Sequence, residues 1–222
     1  MIIMKRILTF IILAVMACAT YAQKDVTKFL GIPVDGTKTA MKQKLIAKGF
    51  TPKRRGTNEW LEGQFNGYSV RVNIVTNNNK VCRIMVSDAY DISESSIRIR
   101  FNNLVRQFEN NEKYSAFSEN QTISDNEDIS YNMSVNNKRY EAIFYQKPNE
   151  ETIAKMQSYL KNKYTQEERD NPTDEVVADV LKFTSEVFVK KCVWFLITEN
   201  YGEYSITMYY DNEYNRANGD DL

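Results

Sequence analysis

Histidine, the side chain most often used for proton transfer near neutral pH, is missing from all 222 residues of this sequence. Its absence excludes Ser-His-Asp and Cys-His catalysis and imidazole ligation of zinc or haem. Any general acid or base must therefore be Asp, Glu, Lys, Tyr or Cys. Ser158 and Lys161 have the SxxK spacing of penicillin-recognising serine enzymes, and residues 124–126 read SDN. These motifs stand in reverse order and no KTG is present, so we expect Ser158 and Lys161 on the solvent face of a helix.

Paired carboxylates are the second chemistry that the sequence offers. Asp125 with Asp128, or Glu150 with Glu151, could supply the acid and the base of a glycosidase. Such clusters more often lie in solvated loops or at helix N-termini, where their charge favours the macrodipole. Residues 211–215 alternate oxygen-bearing side chains as calcium loops do, but lack the glycine and the acid that such a loop requires. We therefore predict no catalytic residue, no metal and no cofactor.

Two cysteines, Cys82 and Cys192, lie in apolar, strand-like runs. A disulfide between them would close a loop of about 110 residues, which the chain-entropy argument values at roughly 4–5 kcal/mol. The alternative is two buried free thiols on separate strands. Their spacing fits neither a CxxC redox motif nor a zinc site. The sequence does not decide between the disulfide and the two free thiols.

Two surface features could bind a ligand. Lys53, Arg54 and Arg55 form a basic segment that we interpret as a turn, either a solvated loop or a site for an anion or a lipid head group. Trp60 and Tyr68 flank the first predicted hairpin and could form a carbohydrate platform. Aromatic side chains on strands are more often core residues or cross-strand partners.

The N-terminal residues have the pattern of an export signal. Lys5 and Arg6 precede an apolar run over 7–16, and small residues stand before Gln23. We predict that residues 1–22 are a signal peptide and that the protein is periplasmic or extracellular. The alternative is a degenerate lipobox that would acylate Cys18 and tether the protein to the outer membrane as a lipoprotein.

Composition narrows the class of partner. The chain has 29 Lys and Arg against 29 Asp and Glu, and 42% of its residues are hydrophobic. This balance indicates a globular protein without the basic excess that phosphate-driven binding of nucleic acid needs. We therefore expect no nucleic-acid partner.

Helices are predicted where apolar residues recur at helical spacing. A helix over 37–48 is capped by Thr37, carries Met41, Leu45 and Ile46 as its apolar stripe, and ends at Gly49. A second helix, at 93–110, follows a capping-box-like start at Asp91 and Glu94. Its stripe is Ile97, Phe101, Leu104, Val105 and Phe108. Further helices are predicted from Asn149 to Tyr164 and over 173–183, with a surface loop over 166–172 between them.

Strands alternate with turn residues through the remainder. Runs at 60–65, 68–75 and 81–88 are joined by Asn66 and Gly67 and by 77–79, which indicates a meander. The same reasoning predicts a hairpin of 129–135 with 139–146, strands at 187–198 and 204–210, and a frayed tail over 212–222. The run 193–197 is apolar at every position, which predicts a central strand buried on both faces.

These elements predict an α+β fold, a mainly antiparallel sheet of hairpins with amphipathic helices packed on one face. Residues 23–222 form a single domain in this prediction; the alternative is two helix-plus-hairpin units at 23–112 and 113–222.

Several segments together resemble a family of small exported proteins of Bacteroides-type bacteria that has no assigned activity. They are FLGIPVDGT at 29–37, the helix end at 41–50, GQFNG at 63–67, YDNEYN at 210–215 and DDL at 220–222. The resemblance covers 23–110 and about 190 onward. A more distant likeness is to the outer-membrane assembly lipoprotein and β-lactamase-inhibitor-like folds, which implies binding of proteins rather than catalysis.

The functional prediction is an exported, non-catalytic binding or structural module of the cell envelope that engages a protein or an envelope component. The alternatives are a carboxylate-dependent hydrolase and a small-ligand or glycan binder.

Overall fold

The computed structural model describes residues 25–217. The predicted signal peptide, Cys18 and the DDL segment at 220–222 lie outside these residues. Within the described range the fold is α+β and mostly sheet, as predicted. No helix in that range has the length and hydropathy needed to cross a membrane.

Eight strands of the described residues form one antiparallel sheet, and a separate two-stranded hairpin precedes them. The hairpin consists of β1 (Lys28–Phe29) and β2 (Ile32–Pro33). The sheet strands, in spatial order, are β3 (Thr51–Arg55), β4 (Asn58–Phe65), β5 (Tyr68–Asn77), β6 (Lys80–Asp88), β10 (Glu203–Asp211), β9 (Cys192–Asn200), β8 (Glu141–Gln146) and β7 (Tyr114–Ala116). The sheet therefore consists of two four-stranded meanders that meet where β6 pairs with β10.

Each meander follows a helix along the chain. Helix α1 (Lys38–Ala47) precedes β3 and contacts β5 and β6, while α2 (Glu94–Glu109) precedes β7 and contacts β7 and β10. Four further helices lie within the second meander. These are α3 (Ile129–Ser134), α4 (Glu150–Lys163), α5 (Gln166–Asp170) and α6 (Asp174–Val189), with a short 3-10 turn at Glu213–Asn215 after β10.

Helix α1 begins and ends at the residues that the sequence indicates. The Ala40 N–H donates to the Thr37 hydroxyl at 3.3 Å. Gly49 adopts a φ of 96°, and the Phe50 N–H donates to the Leu45 carbonyl at 3.2 Å, which is a Schellman motif. Ile46, predicted in the apolar stripe, is instead 42% exposed.

The core lies between the sheet and these two helices. All five residues of the predicted α2 stripe are buried. The Phe101 ring meets Phe195 edge to face at a centroid distance of 5.1 Å, and Phe108 stacks on Phe144 at 4.8 Å. Edge-to-face and offset-stacked rings are the favoured aromatic geometries, so α2 is tied to β8 and β9 of the second meander.

A two-residue turn joins β4 to β5 at the predicted residues, and another joins β5 to β6 at 78–79, where the prediction was 77–79. Asn66 and Gly67 have φ values of 52° and 79°, and Asn78 and Asn79 have 46° and 61°. Positive φ at both central residues is typical of type I′ turns, which match the twist of a hairpin.

The predicted hairpin of 129–146 is wrong. Residues 129–134 form helix α3, whose first turn is capped where the Tyr131 N–H donates to the Asp128 carboxylate at 2.8 Å. Ile129 is buried and Met133 packs against the core, a spacing of four that suits a helix. Strand β8 pairs with β7 and β9 instead.

Five other local predictions also differ from the structure. Ser93, not Asp91, is the N-cap position of α2, and helix α5 interrupts the predicted loop at 166–172. Helix α6 extends to Val189, so β9 starts at Cys192.

Only one face of 193–197 is buried, because Val193, Phe195 and Ile197 alternate with partly exposed residues. The described part of the predicted tail is ordered, since the Asn212 side chain donates to the Val34 carbonyl at 2.6 Å.

Candidate functional site

Trp60 and Tyr68 lie on opposite faces of the sheet. Phe65 pairs with Tyr68 across β4 and β5, and Leu61 of the same β4 face is buried beneath the helices. Alternation along a strand therefore places Tyr68 on the helix-covered face and Trp60 on the other, which we name the open face. The Arg100 guanidinium lies 3.4 Å above the Tyr68 ring. The two rings cannot form one carbohydrate platform.

The basic segment is an edge strand rather than the predicted turn. Lys53, Arg54 and Arg55 belong to β3, are exposed, and pair with β4. Lys53 pairs with Trp60, so Lys53 and Arg55 share the open face, and Arg54 lies on the other. The charged side chains of an exposed edge strand discourage pairing with another chain, which explains this segment without a ligand.

Cys82 and Cys192 carry free thiols. They lie on β6 and β9, and β10 runs between those strands. Two strand spacings place their Cα atoms about 10 Å apart or more, beyond the reach of about 7 Å that a disulfide allows. The possible disulfide is therefore not formed in this fold. Burial raises the pKa of Cys82 and raises that of Cys192 to about 12, so neither sulfur is a ready nucleophile at neutral pH.

The serine, lysine and carboxylate residues considered for catalysis are divided between helix α4 and the segment that leads into α3. Ser158 and Lys161 are exposed on α4, as the sequence predicts. Asp128 caps α3, and Glu151 pairs with Lys155 at 2.6 Å.

In the segment 211–215 the side-chain oxygens of Asp211, Asn212 and Glu213 are engaged by protein donors. The Asp211 carboxylate accepts from Arg83 Nη2 and from Trp194 Nε1, each at 2.9 Å. Asn212 Oδ1 accepts from the Tyr214 N–H at 3.0 Å. Among the described residues, no three Cys, Asp or Glu side chains are grouped to hold a metal ion.

The open face carries a stacked pair of rings at its centre. Trp194 and Tyr209, paired across β9 and β10, stack at a centroid distance of 4.1 Å. The Arg83 guanidinium lies 4.8 Å from the Tyr209 ring and is held by Asp211. The two rings stack on each other, the guanidinium contacts the Tyr209 ring, and Asp211 pairs with the guanidinium. Each group therefore has a protein partner, which is typical of a cluster that stabilises the fold.

A larger concave feature lies on the helix-covered side. A cleft of about 640 Å³ opens between the β1–β2 hairpin, the β4–β5 turn, the C-terminal half of α2 and the start of β7. Its volume lies within the range of small-molecule sites. We name it the hairpin cleft.

Apolar side chains form the floor of the hairpin cleft. Leu104 and Phe108 come from α2, and Met208 and Tyr210 come from β10. All four are at least nine-tenths buried. At the opposite rim the Asn66 side chain donates to Gln107 at 2.8 Å, which links the β4–β5 turn to α2.

The N-terminal segment forms one wall and is held by polar contacts. The Lys28 N–H donates to Gln146 Oε1 at 2.8 Å, and Gln146 Nε2 donates to the Lys28 carbonyl at 2.7 Å. The Asp25 carboxylate accepts from Lys191 Nζ at 2.7 Å and from the Asn149 N–H at 2.8 Å. Only 5% of the Lys191 side chain is exposed, so this ion pair is buried.

Three more lysines, Lys28, Lys113 and Lys147, stand on the rim of the cleft. None of them pairs with a carboxylate within the described part of the chain. Asp25 is the one acidic residue among the described residues that line the cleft, and it is already paired with Lys191. The cleft is therefore electropositive.

Tyr210 presents a hydroxyl to this cleft. The residue is 3% exposed, and its ring packs on Phe29 at a centroid distance of 4.9 Å. No described residue forms a hydrogen bond with that hydroxyl. Burial, and then Tyr114, hold the pKa of Tyr210 well above 10, so the phenol stays neutral and can donate a hydrogen bond.

None of these cleft residues was predicted from the sequence. The lysines belong to segments that are far apart in the chain. The Lys147 N–H donates to the Lys113 carbonyl at 2.8 Å, and the Lys191 ammonium donates to the Lys147 carbonyl at 2.9 Å. Comparison with family models, with curated proteins and with solved structures found no match to this chain.

Proposed function

We propose that this protein is an exported, non-catalytic binding module of the cell envelope and that it holds an amphipathic envelope component in the hairpin cleft. One observation carries the proposal. The cleft combines a buried apolar floor with a polar rim, which is the usual make-up of a small-molecule site. Export rests on the leader-like pattern of residues 1–22.

The polar groups of the cleft favour binding over hydrolysis. A two-carboxylate mechanism needs an acid and a base that flank the scissile bond at about 5–9.5 Å from each other. Among the described residues that line the cleft, Asp25 is the one carboxylate, and its oxygens accept hydrogen bonds from Lys191 and the Asn149 N–H. A carboxylate held in this way fixes the wall of the site and has no partner for acid–base chemistry.

The proposal is tested with the neutral apolar fluorophore N-phenyl-1-naphthylamine. Residues 23–222, the predicted mature chain, should bind it at one saturable site. Gln107→Trp should weaken this binding at least tenfold, because Gln107 is exposed on α2 and lines the cleft. Asn103→Trp is the matched control, since Asn103 is exposed on the same helix outside the cleft.

Two results would contradict the proposal. One is the absence of saturable binding, or an equal effect of the two tryptophan substitutions. The other is turnover of p-nitrophenyl decanoate that Gln107→Trp abolishes, which would indicate a hydrolase.

A further inference from the structure

We infer that the ligand of the hairpin cleft is a single-headed amphipathic anion, whose carboxylate or phosphate lies between Lys28, Lys113, Lys147 and the Tyr210 hydroxyl. This inference rests on the proposed function, because it names the chemistry of the ligand in that same cleft.

The three lysines converge on one end of the cleft through their backbones. The backbone of Lys28 is bound by the side chain of Gln146, the residue that precedes Lys147. The Lys147 N–H donates to the Lys113 carbonyl at 2.8 Å. Gln146 therefore lies at the centre of this group, which we name the basic end.

The charges at the basic end are not neutralised by the protein. Lys191 and Asp25 cancel each other, which leaves the three rim ammonium groups without a carboxylate among the described residues. The C-terminus of α2 adds only about half a negative charge, near Asn111. Among the residues that line the cleft, three full positive charges exceed it, so the field at the basic end attracts anions.

Tyr210 supplies a directional contact beside these charges. The Tyr114 hydroxyl accepts from Gln146 Nε2 at 3.2 Å, which places Tyr114 at the basic end. Tyr210 lines the same cleft, and its ring packs on Phe29, the residue next to Lys28, so it lies near the same end. The Tyr210 hydroxyl has no hydrogen-bond partner among the described residues and opens to the cleft, where an anionic oxygen would accept its hydrogen bond.

The rest of the cleft suits an apolar tail. Leu104, Phe108 and Met208 line the floor together with Tyr210, and all of them are buried. A ligand that is charged throughout would leave this surface uncovered, and an uncharged one would leave the lysines without a counter-charge. An alkyl chain with one acidic head satisfies both parts.

The test compares four ten-carbon probes by displacement of N-phenyl-1-naphthylamine. They are sodium decanoate, decyl phosphate, decanol and decyltrimethylammonium. At low salt both anions should bind at least tenfold more tightly than decanol, and the ammonium probe should bind least. The preference should shrink as salt is added, because the lysines are solvent-exposed. The ratio of decanoate to decyl phosphate identifies the head group.

Variants separate the contributions of the residues. Tyr210→Phe removes only the hydroxyl and should weaken anion binding about tenfold while decanol binding is unchanged. The triple substitution of Lys28, Lys113 and Lys147 by Gln should abolish the preference for anions. Lys80→Gln is the control, because Lys80 is exposed and lies outside the cleft.

The outcomes distinguish this inference from the proposed function. If decanol binds as tightly as decanoate, the anion inference is overturned and the cleft remains a binding site. If the triple lysine variant keeps the preference for anions, the inference is also overturned, and this variant stays informative even where Tyr210→Phe fails to fold. If neither the fluorophore nor any alkyl probe binds, both proposals fail.

Discussion

At the scale of single residues, the charged groups that the fold buries are paired. Asp25 and Lys191 fix the wall of the hairpin cleft, and Asp88 and Arg100 form a second buried pair with side chains that are 6% and 2% exposed. Desolvation makes such pairs weak sources of net stability, but removal of one partner leaves an uncompensated charge. The role of these two ion pairs is to fix how the segments that carry them pack against each other.

Replacement of Asp25 by Asn should lower the free energy of unfolding by about 3 kcal/mol, because it leaves the Lys191 ammonium buried without a counter-charge. Burial alone would raise the pKa of Asp25, but hydrogen bonds from Lys191 and the Asn149 N–H lower it below 3.8. The contribution is therefore fully present above pH 3.8 and is lost as the pH falls through the folded pKa. Urea unfolding at several pH values measures it.

The double variant Asp25→Asn with Lys191→Met is the control, since it removes both charges and should recover most of the lost stability. A difference between wild type and Asp25→Asn that stays constant from neutral pH to pH 2 would refute the linkage.

At the scale of elements, two glycines near the end of α1 are required for different reasons. Gly49 has a φ of 96° with open space around it, so glycine is required there because other residues rarely adopt this φ. Gly63 on β4 has no such φ, but a Cβ there would stand 2.7 Å from Cδ1 of the Phe50 ring. Phe50, which follows the Schellman motif, therefore packs directly on the backbone of the first meander.

Gly63→Ala should destabilise the protein by roughly 1–3 kcal/mol through the clash with Phe50. Gly49→Ala should cost roughly 1 kcal/mol through backbone strain alone. Equilibrium urea unfolding of each variant measures these costs. In a Phe50→Leu background, the cost of Gly63→Ala should shrink and that of Gly49→Ala should not. An unchanged cost for Gly63→Ala in that background would show that the ring is not the cause.

At the scale of the whole molecule, the joint between the meanders decides whether the protein unfolds as one unit. Strands β6 and β10 pair along five residues of each strand, and Arg83 and Asp211 form an ion pair across them. Asp88 of β6 holds Arg100 of α2 and also accepts from the Ile206 N–H of β10 at 3.1 Å. Backbone and side chains thus couple the two halves.

The two tryptophans of the sequence report on this coupling, because Trp60 lies in the first meander and Trp194 in the second. We expect urea unfolding of Trp60→Phe and of Trp194→Phe to show, within each variant, the same midpoint by fluorescence and by far-UV circular dichroism. A fluorescence midpoint that departs from the dichroism midpoint in either variant would indicate that the meanders unfold independently.

Local signals in the sequence predicted much of the fold. The Thr37 cap, the Gly49 terminus and the Asn66 and Gly67 turn were predicted because each depends on neighbouring residues alone. The fold class followed from their succession. The hairpin assigned to 129–146 failed because a strand-like pattern over 129–135 competed with the Asp128 cap, and packing of Ile129 decided for the helix.

The sequence by itself therefore determined the fold class, three of the four strands of the first meander and the two principal helices, since their signals span only a few residues. The tertiary structure alone decided which face each aromatic side chain occupies, that Cys82 and Cys192 stay apart, and that Lys28, Lys113 and Lys147 share one end of a cleft. The separation of the cysteines and the shared end of the cleft depend on strand partners and docking contacts more than 30 residues apart in the chain, as the contact between Lys28 and Gln146 illustrates. The environment of each ring depends on which side of the sheet the helices cover. No periodicity within one element encodes such a pairing, because its free energy belongs to the assembled sheet.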